Sequence, residues 1–282
     1  MYVIAFLFFL GIIVALLKAH KNTKDIKLEK VHIKKKQAKP LTGLNVLQIS
    51  DMHLENISVS PEELYDRLKE EPIDLIALTG DFLDRKRTLK KLPSYLDIFQ
   101  KLNPKHGIYA VFGNHDYVLK GKHFEQLEKT LQNHGCITLR NEHKQIVMNG
   151  VKMNIIGIDD YGTGNSNLTA SYDGLKDSDY NLVLTHDPNV VLEMNSTQFD
   201  YLLSGHFHNG QIHWPKPYHL VKMGKLARMN MVKGLLYMHD KPFYISEGLG
   251  QTGVNIRVGS RPEITIHHIE ISKAQSDAIV AS

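Results

Sequence analysis

Five short clusters in this 282-residue chain carry side chains that could hold metal ions. They are Asp51-Met52-His53, Gly80-Asp81-Phe82-Leu83-Asp84, Gly113-Asn114-His115-Asp116, Thr185-His186-Asp187 and Gly205-His206-Phe207-His208. Four imidazoles (His53, His186, His206, His208), the carboxylates of Asp51 and Asp81 and the amide oxygen of Asn114 form a mixed nitrogen and oxygen donor set. Without thiolates, such a set suits Mn, Fe or Zn in a reactive site and not a structural zinc site. Seven donors are too many for one tetrahedral ion. They suit two divalent ions roughly 3.5–4 Å apart that share a carboxylate. The lone Cys136 excludes an intramolecular disulfide and a Cys-rich zinc ribbon.

Donors this far apart in sequence meet only if regular elements bring them to one edge. Leu44–Ile49, Ile73–Leu78 and Ile108–Phe112 read as buried strands, and the stretches near Pro61–Glu71, Arg87–Leu102 and Lys122–His134 as helices. This alternation predicts right-handed crossovers, with the strands' carboxyl ends on one edge. Within Asp51–His53 and His206–His208, residues i and i+2 would face the same side if the chain is extended. After residue 135 the chain turns to short strands: Ile146–Met148, Met153–Ile158, Leu182–Leu184, Tyr201–Leu203, Gly234–Met238, Phe243–Ile245 and Glu263–Glu270. These predict a second, mixed sheet stacked on the first, and Tyr161–Asp177 reads as a long loop.

The ordered set Asp51-x-His53, Gly80-Asp81-x-x-Asp84, Gly113-Asn114-His115-Asp116, His186 and Gly205-His206-x-His208 resembles the calcineurin-like metallophosphoesterase superfamily. The run from His208 to Gln211, with the apolar N-terminus, is similar to the membrane-associated bacterial branch, although Phe207 and Asn209 stand where Thr and Gly are usual. The resemblance implies an α/β fold, a four-layer αββα sandwich of two mixed sheets. It implies that Asp51, His53 and His208 hold one ion, that Asn114, His186 and His206 hold the other, and that Asp81 bridges them. Water activated between the ions would attack phosphorus. His115 would stabilise the transition state or protonate the leaving oxygen, with Asp116 orienting it, and Asp84 would hold a ligand or loop in place. Three further residues are substrate candidates: Arg85 after the Asp84 motif, Arg257 after a Gly-rich loop, and Asp160 at a strand end, where a plain turn is the simpler reading. Asp187, before Pro188, reads as a turn residue, and His267-His268 as structural.

Met1–Leu17 carries no charge and would span roughly 25 Å as a helix. It reads as an uncleaved membrane anchor, since no basic residue precedes it and no good cleavage site follows. Residues 18–39 hold nine lysines against Asp25 and Glu29, in a chain whose net charge is only +4. The body is therefore mildly acidic, and no nucleic-acid partner is expected. The reading is a basic juxtamembrane linker over 18–39, a metallophosphoesterase domain over 40–272 and a loose tail over 273–282. Lysines following the anchor place the catalytic domain in the cytoplasm of a single-pass cell-membrane protein. The expected activity is hydrolysis of a phosphomonoester, phosphodiester or pyrophosphate, on a membrane-proximal or lipid-linked substrate. A non-catalytic scaffold that keeps the fold for partner binding is the alternative, and it should have lost ligands.

Overall fold

The computed structural model describes residues 1–34, 42–195, 198–213 and 217–271. The expected tail lies outside them, as do Lys35, Lys36 and Lys39. Twelve strands among the described residues form two six-stranded mixed sheets. The first comprises β1 (Lys27–Ile33), β2 (Thr42–Ile49), β3 (Leu75–Thr79), β4 (Ile108–Val111), β5 (Cys136–Thr138) and β12 (Glu263–Ile271), in the order β1-β12-β2-β3-β4-β5. The second comprises β6 (Glu142–Met148), β7 (Val151–Gly157), β8 (Tyr180–Leu184), β9 (Tyr201–Ser204), β10 (Gly234–Met238) and β11 (Lys241–Ile245), in the order β10-β11-β9-β8-β7-β6. Strands β2 to β5 run parallel, as do β7, β8, β9 and β11.

Strand alternation builds three apolar layers. In β2, Leu47 and Ile49 face helices α2 (Pro61–Leu68), α3 (Leu92–Lys101) and α4 (Lys122–Asn133), whereas Leu44 and Val46 face the second sheet. In β8, Leu182 and Leu184 fill the space between the sheets, and Val183 packs outward under the segments Pro188–Leu192 and α6 (Lys225–Arg228). Helix, sheet, sheet and helix give the four-layer α/β sandwich that the sequence predicts. Each fully buried Leu or Ile contributes roughly 1.5–3 kcal/mol. Helix α2 shows why its start was readable: Ser60 caps the N–H of Glu63, the Glu63 carboxylate reaches back to the N–H of Ser60, and Pro61 fills the first turn. Inside the expected loop Tyr161–Asp177 lies one short helix, α5 (Leu168–Tyr172).

The stretch 18–39 is not a plain linker. Helix α1 (Tyr2–Lys21) runs past Leu17, and Ala19 is already buried against the domain. Lys27–Ile33 then forms β1, paired parallel with Glu263–Ile269. Val31 and Ile33 enter the layer between the sheets, while the lysines stay outside. Lysine-rich sequence marks a protected sheet edge as readily as a solvated linker. Tyr2–Lys24 is long and apolar enough to cross a membrane by length and composition.

Candidate metal centre

All five clusters sit just beyond the carboxyl ends of strands: Asp51 after β2, Asp81 after β3, Asn114 after β4, His186 after β8 and His206 after β9. The two sheets are tied together here, because Gln48 Nε2 donates to Thr79 Oγ1 at 3.0 Å and to Ser204 O at 2.9 Å. The chain is not extended through the clusters. Asp51, His53, Asp81, His206 and His208 all have φ between 38° and 78°. The pairs at i and i+2 therefore converge through left-handed turns, which correct the extended geometry expected from spacing. Such backbone is costly for residues with a side chain, and it clusters where function requires it. The close approach also needs glycine. A Cβ on Gly113 would lie 2.3 Å from Asp81 Oδ1, and one on Gly205 would lie 2.2 Å from Asp51 Oδ2.

Asp51, His53 and His208 form one group able to hold a metal ion, and Asp51, Asp81 and His186 form a second. His53 Nε2 lies 3.1 Å from His208 Nε2, and His208 Nε2 lies 3.1 Å from Asp51 Oδ1. Asp81 Oδ2 lies 3.1 Å from His186 Nε2 and 3.5 Å from His53 Nε2, so one oxygen faces both groups. His206 Nδ1 lies 3.2 Å from His186 Nε2. Donors held about 2.0–2.2 Å from a common ion are themselves about 3.0–3.5 Å apart. The buried Asn114 Oδ1 has no hydrogen-bond partner among the described residues, as expected of a ligand oxygen. His186 Nδ1 donates to Thr79 O at 2.8 Å, which turns Nε2 toward the carboxylates.

The charge states fit the same purpose. Burial opposes ionisation of Asp51 and Asp81, but His208 and His186 respectively outweigh it and hold both carboxyls well below the usual range. Burial pulls His53 down to about 3 and His206 to about 4, which keeps their lone pairs free. For His186, burial acts downward, yet Asp81 and Asp51 raise it well above the ordinary value. The carboxylates thus draw a positive charge to the place where a cation fits.

Residues 44–210 match the family model described as calcineurin-like phosphoesterase. The chain belongs to the calcineurin-like phosphoesterase family. It is 65% identical to the metallophosphoesterase YkoQ of Bacillus subtilis, over 90% of this chain and 94% of that one. It is 25% identical to the phosphodiesterase YaeI of Escherichia coli, over 78% and 80% of the two chains. It is 26% identical to the UDP-2,3-diacylglucosamine pyrophosphatase LpxG of Chlamydia muridarum, over 80% and 83%. The protein is accordingly a metal-dependent phosphoester hydrolase.

Two residues of this phosphoesterase exchange the duties expected of them. Asp116 does not orient His115. Its carboxylate is fully buried and accepts the backbone N–H groups of Asp81, Phe82, Leu83 and Gly113 at 2.9–3.2 Å, stapling the loops after β3 and β4. Burial, and then the charge of Asp81, push its pKa well above the usual value. Asp84 is the carboxylate beside the His115 ring, with Oδ2 3.6 Å from Nδ1. The His115 ring meets His53 edge-on, and the backbone N–H of His115 donates to Asp81 Oδ1 at 2.8 Å.

A cleft of about 720 Å³ adjoins the centre at Asn114 and His206, and a pocket of about 120 Å³ lies over Asp81, His115 and His208. Lys222, Lys225 and Arg228 line the larger cleft. Sequence reasoning missed them, since cations scattered near a glycine carry no local signature. Of the expected substrate residues, Arg257 is fully buried, and its guanidinium donates to the carbonyls of Glu247, Gly248, Gly250 and Arg261. It organises the Gly-rich loop and cannot reach a phosphate. Arg85 is exposed beyond Asp84 and lines neither cavity. Asp160 is buried, accepts the N–H of Thr163 and is raised to about 6 by burial. Asp187 caps the 188–192 turn, as expected. Glu55 is a further missed residue: it accepts the N–H groups of Asp84 and Arg85 and the hydroxyl of Thr88, fixing the loop that carries Asp84. Phe207 is buried at the smaller pocket, and Asn209 Nδ2 donates to Glu247.

Proposed function

We propose that this phosphoesterase is a membrane-anchored dinuclear enzyme whose catalytic domain faces the cytoplasm and hydrolyses a lipid-linked phosphoester or pyrophosphate. Asp51, His53 and His208 hold one divalent transition-metal ion (Mn, Fe or Zn), and Asn114, His186 and His206 hold the other. Asp81 is the shared ligand. The observation that carries this reading is the position of Asp81 Oδ2, within 3.5 Å of a nitrogen from each group. When bound, such ions activate water near neutral pH and neutralise phosphoryl charge.

The protein's own groups do the rest. His115, at the mouth of the smaller pocket, delivers a proton to the leaving oxygen, and Asp84, with Oδ2 3.6 Å from Nδ1, positions the ring. Lys222, Lys225 and Arg228 hold a further anionic group of the substrate in the cleft beside Asn114. The apolar helix α1 and the lysines that follow it support the anchor and its orientation. A relative named for a lipid-bearing nucleotide pyrophosphate supports the substrate class. A hydrolysis panel of the full chain with added Mn²⁺ tests it, comparing monoester, diester, cyclic nucleotide and lipid pyrophosphate. The lipid pyrophosphate should have the highest kcat/KM. Preference for a soluble cyclic nucleotide would refute the substrate assignment and leave the metal centre standing.

A further inference from the structure

The segment joining helix α1 to the body has no slack. Ala19 is only 5% exposed, and its carbonyl accepts the N–H of Arg257 at 2.9 Å. His20 Nδ1 lies 3.0 Å from Asn255 O, and Asn22 Nδ2 donates to Arg257 O at 2.8 Å. Thr23 Oγ1 donates to Ser58 Oγ, which in turn lies 3.1 Å from Asn255 Oδ1. The uncharged stretch of the helix ends at Leu17, so Lys18 and Lys21 belong at headgroup level. The loop gripped by residues 19–23 therefore sits at that level too.

The same loop walls the catalytic pocket. Thr252 lines it together with Asp81, His115 and His208. Asn255 is three positions after Thr252, a reach of at most about 11 Å. Gln211, three residues beyond His208, donates from Nε2 to the carbonyls of Thr252 and Val254. The N–H of Gly250 donates to Asp51 O at 2.7 Å, and the buried Arg257 guanidinium locks the carbonyls of Glu247, Gly248 and Gly250. The tip of the loop is apolar and open: Val254 is 61% exposed, and Ile212, bridged to Val258, is 38% exposed. Lys18, Lys21 and Lys24 stand exposed at the end of the helix.

We infer that the tip of the loop 251–258, with Ile212 beside it, is a bilayer-contacting rim that holds the catalytic mouth at the headgroup layer. This rests on the membrane-anchored reading above, and it adds a second contact between body and bilayer besides the helix. The partner is an anionic lipid surface, which offers hydrocarbon for Val254 and Ile212 and negative charge for the lysines.

The test uses the full chain in nanodiscs of mixed phosphatidylcholine and phosphatidylglycerol, with a fluorophore on Val254→Cys and, separately, on Ile212→Cys. Cys136 is buried, and burial raises its thiol to about 12, so labelling is selective. The control is Val147→Cys, equally exposed on a strand outside this loop. Lipids carrying a quencher near the headgroup should quench the labels at 254 and 212 at least threefold more than the label at 147. Equal quenching at all three sites overturns the rim. Failure of the chain to migrate with the nanodisc removes the anchor and the rim together. Quenching does not depend on hydrolysis, so a failed phosphoesterase assignment would show only in the activity panel.

Discussion

The Asp81 carboxylate divides its oxygens between two tasks. Oδ2 faces both donor groups, while Oδ1 accepts the backbone N–H of His115 and so ties the loop after β4 to the donor cluster. His115 itself is not within either donor group. His115→Ala should therefore lower turnover by roughly 10²–10⁴-fold and leave metal content unchanged, measured by elemental analysis beside kinetics. The loss should shrink for substrates with a good leaving group, and loss of metal would make the ring a ligand. The cluster of Asp51, His53, Asp81, His186 and His208 was legible because each follows an apolar run in the required order. The exchange of duties between Asp84 and Asp116 was not, because both follow their motifs at plausible spacing. Asp116 meets four backbone N–H groups of the loops after β3 and β4, and Asp84 lies beside the ring.

At the scale of elements, loops are held by buried polar groups that sequence alone left unassigned. Asp116→Ala would leave four inward N–H donors around Asp81 and Gly113 without an acceptor. Thermal unfolding should show a loss of about 3–5 kcal/mol, with weakened metal retention, and an unchanged transition would contradict the staple. Strand β12 carries a second such group. His267 is fully buried between Tyr201 and Gln48, and burial pulls it down to about 3. Its folded value lies below the unfolded one of about 6.5, so its contribution is complete above that pH and fades as pH falls toward 3. Between pH 7 and pH 4 this amounts to roughly 3 kcal/mol. In chelator, denaturant melts of His267→Gln should lose less stability over that interval than wild type, and parallel losses would clear His267 of the effect. The strand itself was readable from alternation. The role of its histidine needed Tyr201 of the facing sheet and Gln48 of its own, both distant in sequence.

For the whole molecule, the junction between helix α1 and the body carries an edge strand of the first sheet. The lysine-rich run looked like linker because its charges hid a period of two, with Val31 and Ile33 turned toward the second sheet and Leu28 toward the helices. A body cut at residue 40 would lose β1 and leave Glu263–Ile269 as an open edge. It should melt at lower temperature and aggregate more than a body cut at residue 25, compared by calorimetry and light scattering. Equal behaviour would mean that β1 adds nothing to the first sheet. The architecture of two stacked sheets was legible from the rhythm of strands and helices. The absence of a spacer between helix and catalytic loop was not, since hydrogen bonds from Ala19, His20 and Asn22 to residues 255–257 join the two ends of the chain.

Whether two ions share Asp81 can be read from anomalous diffraction by crystals of the metal-loaded protein. Two peaks should appear roughly 3.5–4 Å apart with the Asp81 carboxylate between them. One peak should be ringed by Asp51, His53 and His208, and the other by Asn114, His186 and His206. A single peak, or two peaks with Asp81 bound to only one of them, would contradict it.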